Sequence, residues 1–155
     1  MRPDDSLPAL ECLCASLRRA ARAMTQVYEA ELEPEGLTSP QLTLLHVLAK
    51  KGALRQGEIG EFLALDSTTL TRTLRPLESQ GWIRARAGRD RRERHWELTR
   101  EGRRKWKKAL PAWHRAQAMA RQQLGPDTVD GLLASLARVA GAGRARAGAK
   151  ARRGA

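Results

Sequence analysis

Apolar residues recur at three- and four-residue spacing through most of the chain, and one central stretch breaks to a period of two. Leu10, Leu13, Leu17, Met24, Val27, Tyr28 and Leu32, with alanines between them, form the stripe of an amphipathic helix over 9–33. Pro34 and Gly36 end it. Ser39 is a suitable N-cap with Pro40 at the first helical position, and Leu42, Leu44, Leu45, Val47 and Leu48 carry a second helix to Lys50, closed by Gly52. Two shorter helices follow, over 56–63 and 67–79. Ala64-Leu65-Asp66 is the turn between them, Asp66 the cap of the second and Gly81 its C-terminal glycine.

After Gly81 the period changes. Trp82-Ile83-Arg84-Ala85-Arg86 and Arg94-His95-Trp96-Glu97-Leu98 alternate as two β-strands, joined by the polar loop 87–93. Thr99 then caps a long helix, 100–124, with Trp106, Leu110, Trp113, Ala116 and Ala120 on one face. Pro111 is expected to kink it. Gly125-Pro126 breaks the pattern, and Val129, Leu132, Leu133, Leu136 and Val139 mark a last helix. Beyond Gly141 only Gly, Ala, Arg and Lys remain, which predicts a disordered tail, since nothing apolar offsets the ordering entropy.

The fold class expected is therefore mainly α with a small β-hairpin wing: a winged helix-turn-helix. Residues 1–8 form an N-terminal arm and 9–140 a single domain, followed by the basic tail 141–155. Within the domain, 53–98 is the winged helix and 99–124 the connecting helix. The helices at 9–33 and 126–140 are left to make a dimer.

Charge sharpens this picture. The net charge is +12, from 29 Lys and Arg against 17 Asp and Glu. Residues 1–83 carry 9 basic and 11 acidic side chains, whereas residues 84–108 carry 12 and 4, and the tail carries 5 and none. A positive field gathered into one internal block and one tail points to a polyanionic partner. There is no apolar run long enough for a transmembrane helix and no apolar signal-peptide core, and two cysteines one residue apart make no disulfide framework. A cytoplasmic protein is expected, without membrane contact.

The segment Asp66-Ser67-Thr68-Thr69-Leu70-Thr71-Arg72-Thr73-Leu74-Arg75 carries the chemistry. With Leu70 set to 0° at 100° per residue, Leu74 and Leu77 fall at about 40° and 340°, while Thr71, Arg75, Thr68 and Arg72 fall at about 100° to 200°. The outward face holds Thr and Arg and no carboxylate. Arg can fork onto guanine O6 and N7, and Thr can meet base edges, phosphates or a thymine methyl. A merely solvated face ordinarily mixes Glu with Lys. Ser67, Thr68, Thr71, Arg72 and Arg75 are therefore candidate DNA contacts. Pro76 removes one helical hydrogen bond, so a kink or an early helix end is expected there. Arg89, Arg91 and Arg92 crowd the hairpin loop with Asp90, a charge suited to a narrow, negative minor groove.

The order of elements, with Asp66-Ser67-Thr68-Thr69-Leu70-Thr71-Arg72, Leu77-Glu78-Ser79-Gln80-Gly81-Trp82-Ile83, Asp90-Arg91-Arg92 and Leu98-Thr99-Arg100-Glu101-Gly102, resembles the MarR family of bacterial regulators across about residues 8–140. The resemblance implies a triangular homodimer on an inverted-repeat operator, repression as the commonest mode, and control by a small ligand, an oxidant or a metal. It implies that Asp90 braces the wing while Arg92 enters the minor groove. Pro76 and the basic tail depart from the commonest pattern.

Candidate sensing residues are less defined. On a helix Cys12 and Cys14 would lie about 200° apart, Cys14 on the apolar stripe and Cys12 opposite. They would be unable to bond to each other while the helix persists. They are either structural or, with the partner subunit, a thiol or metal sensor, in which case Cys12 is the reactive one. Met24, Tyr28, His46 and Trp113 could line an effector pocket, though aromatic residues at helical spacing also make ordinary core. His46, His95 and His114 show no metal-ligand spacing. No cofactor is expected and no enzyme motif is found: no glycine-rich phosphate loop, nucleophile elbow or paired catalytic carboxylates. A non-specific architectural or RNA-binding basic protein is the alternative, and a peripheral membrane protein, through the Arg/Lys run 100–108, a weaker one.

Overall fold

A computed structural model describes the backbone of residues 10–87 and 94–153, and the side chains as far as 142. The helices are α1 (Leu13–Leu32), α2 (Ser39–Lys51), α3 (Gln56–Leu63), α4 (Ser67–Ser79), α5 (Arg100–Leu124) and α6 (Pro126–Arg153). The strands are β1 (Leu54–Arg55), β2 (Ile83–Ala87) and β3 (Arg94–Leu98). The winged helix-turn-helix expected from periodicity is the fold.

Several boundaries move for identifiable reasons. α1 begins at Leu13, since Cys12 is extended at φ −83 and ψ 115 and takes the cap position, though without a side-chain cap bond, and Glu33–Glu35 continue the helix as one 3-10 turn that Gly36 ends at φ +60. The cap of α2 is Thr38, one residue before the expected Ser39. Its hydroxyl accepts from Gln41 N–H while Gln41 Oε1 accepts from Thr38 N–H, a reciprocal pair that satisfies two free N–H groups at the head of the helix. The sheet has three antiparallel strands in the order β1-β3-β2, with Leu54 opposite Trp96 and Ala85 opposite Trp96. β1 is two residues long, too short for alternation to reveal.

α4 does not end early. It runs three residues past Pro76, because Leu77 lies beyond the proline and is wholly buried. Burying a leucine gains about 1.5–3 kcal/mol, against about 3 kcal/mol for an interior proline. Pro76 itself is exposed, on the outer side of the helix. α6 runs to Arg153, past the end at 140 expected for the last helix. Ala, Arg and Lys are strong helix formers, and lengthening an existing helix avoids a second nucleation, against the cost of Gly141, Gly143 and Gly148.

The core gathers where α2, α4, the sheet and α5 meet. Leu44, Leu45, Leu48, Ile59, Leu74 and Ile83 are at most 2% exposed. At its edge α5 comes against the Trp82 carbonyl. That oxygen accepts from Thr99 N–H at 3.1 Å, Thr99 Oγ1 donates to the Gly81 carbonyl at 2.6 Å, and Gly102 N–H donates to Thr99 Oγ1 at 3.0 Å. A Cβ on Gly102 would stand 1.8 Å from the Trp82 carbonyl oxygen. Only glycine lets the helix approach so closely.

Gly102→Ala must therefore push α5 off a backbone atom that has no flexible side chain to yield. We expect a loss of about 3 kcal/mol, read as a Tm lower by roughly 6–12 °C in thermal unfolding. An unchanged Tm would show that the junction gives way cheaply.

Candidate nucleic-acid interface

α4 owes its start to Asp66, whose carboxylate accepts from Thr69 N–H at 2.9 Å and from Thr69 Oγ1 at 2.7 Å. The Thr69 amide, followed by the Thr69 hydroxyl, holds the Asp66 pKa below the ordinary value. Leu70, Leu74 and Leu77 turn inward. Ser67, Thr68, Arg72 and Arg75 are exposed, so four of the five residues expected on the outer face stand free of the core.

The fifth, Thr71, is placed differently. It is half-buried on the flank of α4 that meets α3. Its hydroxyl donates to the Ser67 carbonyl at 2.7 Å and accepts from Gln56 Nε2 at 3.2 Å, while Gln56 Oε1 accepts from Trp96 Nε1 at 3.4 Å. Thr71 thus ties α4 to α3 and, through Gln56, to the central strand. Gln56 and Trp96 belong to the site's framework although periodicity shows only a polar residue and a strand aromatic. The candidate wing residues Arg89, Asp90, Arg91 and Arg92 lie outside the described residues.

At the base of the wing, Arg84 and Arg86 both reach Glu97, at 2.6 and 3.4 Å. These hydrogen bonds, Arg84's foremost, hold the Glu97 pKa down. The register explains them, since Arg84 is paired with Glu97 across the strands. Both arginines remain about two-thirds exposed, at 64% and 65%.

A cleft of about 190 Å³ lies between α1, α2 and α5, lined by Tyr28, Ser39, Leu42, Thr43, His46, Val47 and Trp113. Three of the four expected pocket residues are present. Met24 is half-buried but is not in the lining, because it sits one turn further from α2 along α1. Trp106 Nε1 donates to His46 Nδ1 at 3.4 Å, which puts the proton of a neutral His46 on Nε2. Trp106 meets the imidazole edge-on at 5.8 Å, and Trp113 lies at 5.7 Å. Burial foremost, then Lys50, lowers the His46 pKa, and burial raises that of Tyr28. At neutral pH both groups are uncharged hydrogen-bonding partners.

Cys12 and Cys14 are free and both exposed. Cys12 is the residue before α1, with φ −83 and ψ 115, so the 200° separation expected on a helix does not apply. Cys14 is exposed as well, and Leu13 beside it is 66% exposed, so among the described residues the N-terminal turn of α1 is left uncovered. Among the described residues no group of three or more His, Cys, Asp or Glu could hold a metal ion, and no helix is long and apolar enough to cross a membrane.

Comparison with known proteins agrees with this geometry. The MarR family profile matches residues 37–93. The HTH-type transcriptional regulator YwoH of Bacillus subtilis (strain 168) is 36% identical over 94 residues, 61% of this chain and 69% of that protein. An organic hydroperoxide resistance transcriptional regulator of the same organism is 38% identical over 91 residues, 58% of this chain and 62% of that one. Among solved structures, the M. tuberculosis transcriptional regulator MosR in complex with DNA matches at a TM-score of 0.79 and 34% identity, covering 87% of this chain and 98% of that one.

The Asp66 cap gives a pH test. Its folded pKa is lowered, so its stabilisation is fully present above the ordinary aspartate pKa and is lost as pH falls through the folded value. Asp66→Ala should lower the Tm at neutral pH, and the gap to the parent should narrow in strong acid. A gap that stays constant on acidification would mean that the ionised carboxylate does not hold the helix.

Proposed function

The chain belongs to the MarR family of winged helix-turn-helix transcription regulators, and on that premise we propose that it is a repressor that binds an inverted-repeat DNA operator as a homodimer. The observation that carries this reading is the exposed face of α4, where Thr68, Arg72 and Arg75 stand free with no carboxylate among them. Arg72 is the base reader: a guanidinium fork meets guanine in the major groove, and the threonine and serine hydroxyls fix the helix on the phosphates and base edges. The wing adds a minor-groove contact through Arg92, with Asp90 bracing the loop and Arg89 and Arg91 supplying charge. The MosR structure with DNA supports a duplex as the partner. Such a protein works in the cytoplasm, where its DNA is.

The dimer reading rests on uncovered apolar surface at both ends of the chain. Leu10 and Leu13 are 41% and 66% exposed, and Leu132, Leu133 and Val139 on α6 are 44%, 55% and 44% exposed. A second copy is the natural cover, and α5 links that seam to the wing. Occupying the cleft at Tyr28, His46 and Trp113 would bear on α1, α2 and α5 together and so on the spacing of the two α4 helices, which makes it the effector site for a small molecule. Cys12 and Cys14 are the candidate sites for an oxidant or metal. An effector must bind one spacing better than the other to act, and a few kcal/mol of difference suffices for a large change in occupancy.

Footprinting on the DNA upstream of the chain's own gene should reveal an inverted repeat with half-site centres about one helical turn, roughly 34 Å, apart. A footprint without two-fold symmetry would sink the operator reading, and a monomer in sedimentation at micromolar concentration would sink the dimer. Arg72→Ala should weaken operator binding by about 1–3 kcal/mol and relax discrimination at one base pair per half-site. An equal loss on random-sequence DNA would show that Arg72 touches only phosphate.

A further inference from the structure

Neither the groove-reading helix nor the dimer helices account for the basic run at the start of α5. Arg100, Arg103 and Lys107 fall within about 60° of one another around that helix. All three are exposed, and among the described residues none of them makes an ion pair. The other cations of the run are engaged. Arg104 pairs with Glu101, Lys108 Nζ lies 3.2 Å from Glu35 Oε2, and Lys105 Nζ donates to the Glu35 carbonyl and sits 4.8 Å from the Trp82 ring centroid.

This arrangement opposes helix stability twice. Like charges three and four residues apart repel. Arg100 and Arg103 also put positive charge in the first turn, at the positive end of the helix dipole. A helix face that only needed to be wetted would alternate its signs. An anion beside the stripe removes both conflicts.

We propose that Arg100, Arg103 and Lys107 form a second DNA contact, separate from the α4 face, that binds the phosphate backbone of duplex DNA without reading bases. The proposal rests on the DNA-binding reading above and extends it. From Arg100 to Lys107 the helix rises about 10 Å, the axial run of about three phosphates on one strand. The stripe also continues the charge of the wing. Arg100 stands two residues after Leu98, the end of β3, and the paired strand β2 carries Arg84 and Arg86, two exposed arginines that share the single carboxylate of Glu97. An anionic membrane fits less well. A surface helix for a bilayer needs apolar side chains on its docking face, and Trp106, the one large apolar residue from 100 to 108, packs against the core.

The test compares Arg100→Gln/Arg103→Gln/Lys107→Gln with a control of equal charge change, Lys50→Gln/Arg115→Gln/Arg121→Gln. Fluorescence anisotropy on a long random-sequence duplex, over a salt series, gives the slope of log K against log salt. The stripe variant should flatten that slope by up to about 2.7 per subunit and weaken binding at least about tenfold at low salt. The control should keep the parent slope, and thermal unfolding should show both variants folded. An unchanged slope, or equal flattening by both variants, would overturn the proposal while leaving DNA binding itself intact. So would a stripe variant that keeps the duplex but loses vesicles of anionic phospholipid. If the parent chain binds no duplex at any salt, the DNA-binding reading fails with it.

Discussion

The arrangement of the whole chain turns on the approach of α5 to one backbone oxygen, the carbonyl of Trp82. Thr99 N–H donates to it, and Gly102 leaves room for it where any Cβ would overlap. Thr99 Oγ1 also binds the Gly81 carbonyl and takes the Gly102 N–H, so the end of α4, the start of the wing and the first turn of α5 share one set of bonds. Lys105, one turn on, lies over the Trp82 ring and binds the Glu35 carbonyl between α1 and α2. A close packed contact of this kind does not deform gradually. Movement of α5 therefore carries the wing and the end of α4 with it, and the direction of α5 is what a dimer built on the terminal helices would transmit.

Orientation of the recognition helix has a second, polar determinant. Trp96 on the central strand, Gln56 at the head of α3 and Thr71 on α4 hold one another in a line of hydrogen bonds that ends on the Ser67 carbonyl. Apolar burial of Leu70, Leu74 and Leu77 sets which side of α4 faces in, but leucines tolerate small rotations of the helix. Directional bonds tolerate fewer. Thr71 therefore contributes to the position of Arg72 and Arg75.

Charge is arranged on the same frame. Where cations meet the protein's own carboxylates, as Arg84 and Arg86 meet Glu97 or Lys108 meets Glu35, they bind elements together. On α4 and at the head of α5, Arg72, Arg75, Arg100, Arg103 and Lys107 face outward and, among the described residues, make no ion pair. The cleft beside α2 and α5 is the opposite environment. Neutral His46 and Tyr28 and the Trp113 ring line it, and among the described residues its lining holds no Lys or Arg, although Lys50 is near enough to help lower the His46 pKa.

Much of this was legible in the sequence. Periodicity located every α-helix, the Asp66, Thr99 and Gly81 signals set helix ends, and the angular reading of 66–77 put Thr68, Arg72 and Arg75 outside. These depend on interactions within a few residues, and local spacing encodes such interactions directly. Other features depend on what lies across the fold. β1 exists because β3 offers Leu54 and Arg55 a partner. Pro76 stays inside α4 because Leu77 is buried by residues far away in sequence, and Thr71 is half-buried because Gln56, itself held by Trp96, bonds its hydroxyl. Gly102 stands in the motif at 98–102, but the need for a glycine there comes from the Trp82 carbonyl against it. Cys12 and Cys14 changed relation because α1 begins one residue too late to hold both. In each case the deciding partner is fixed by tertiary packing, and the pattern of neighbouring residues carries no record of it.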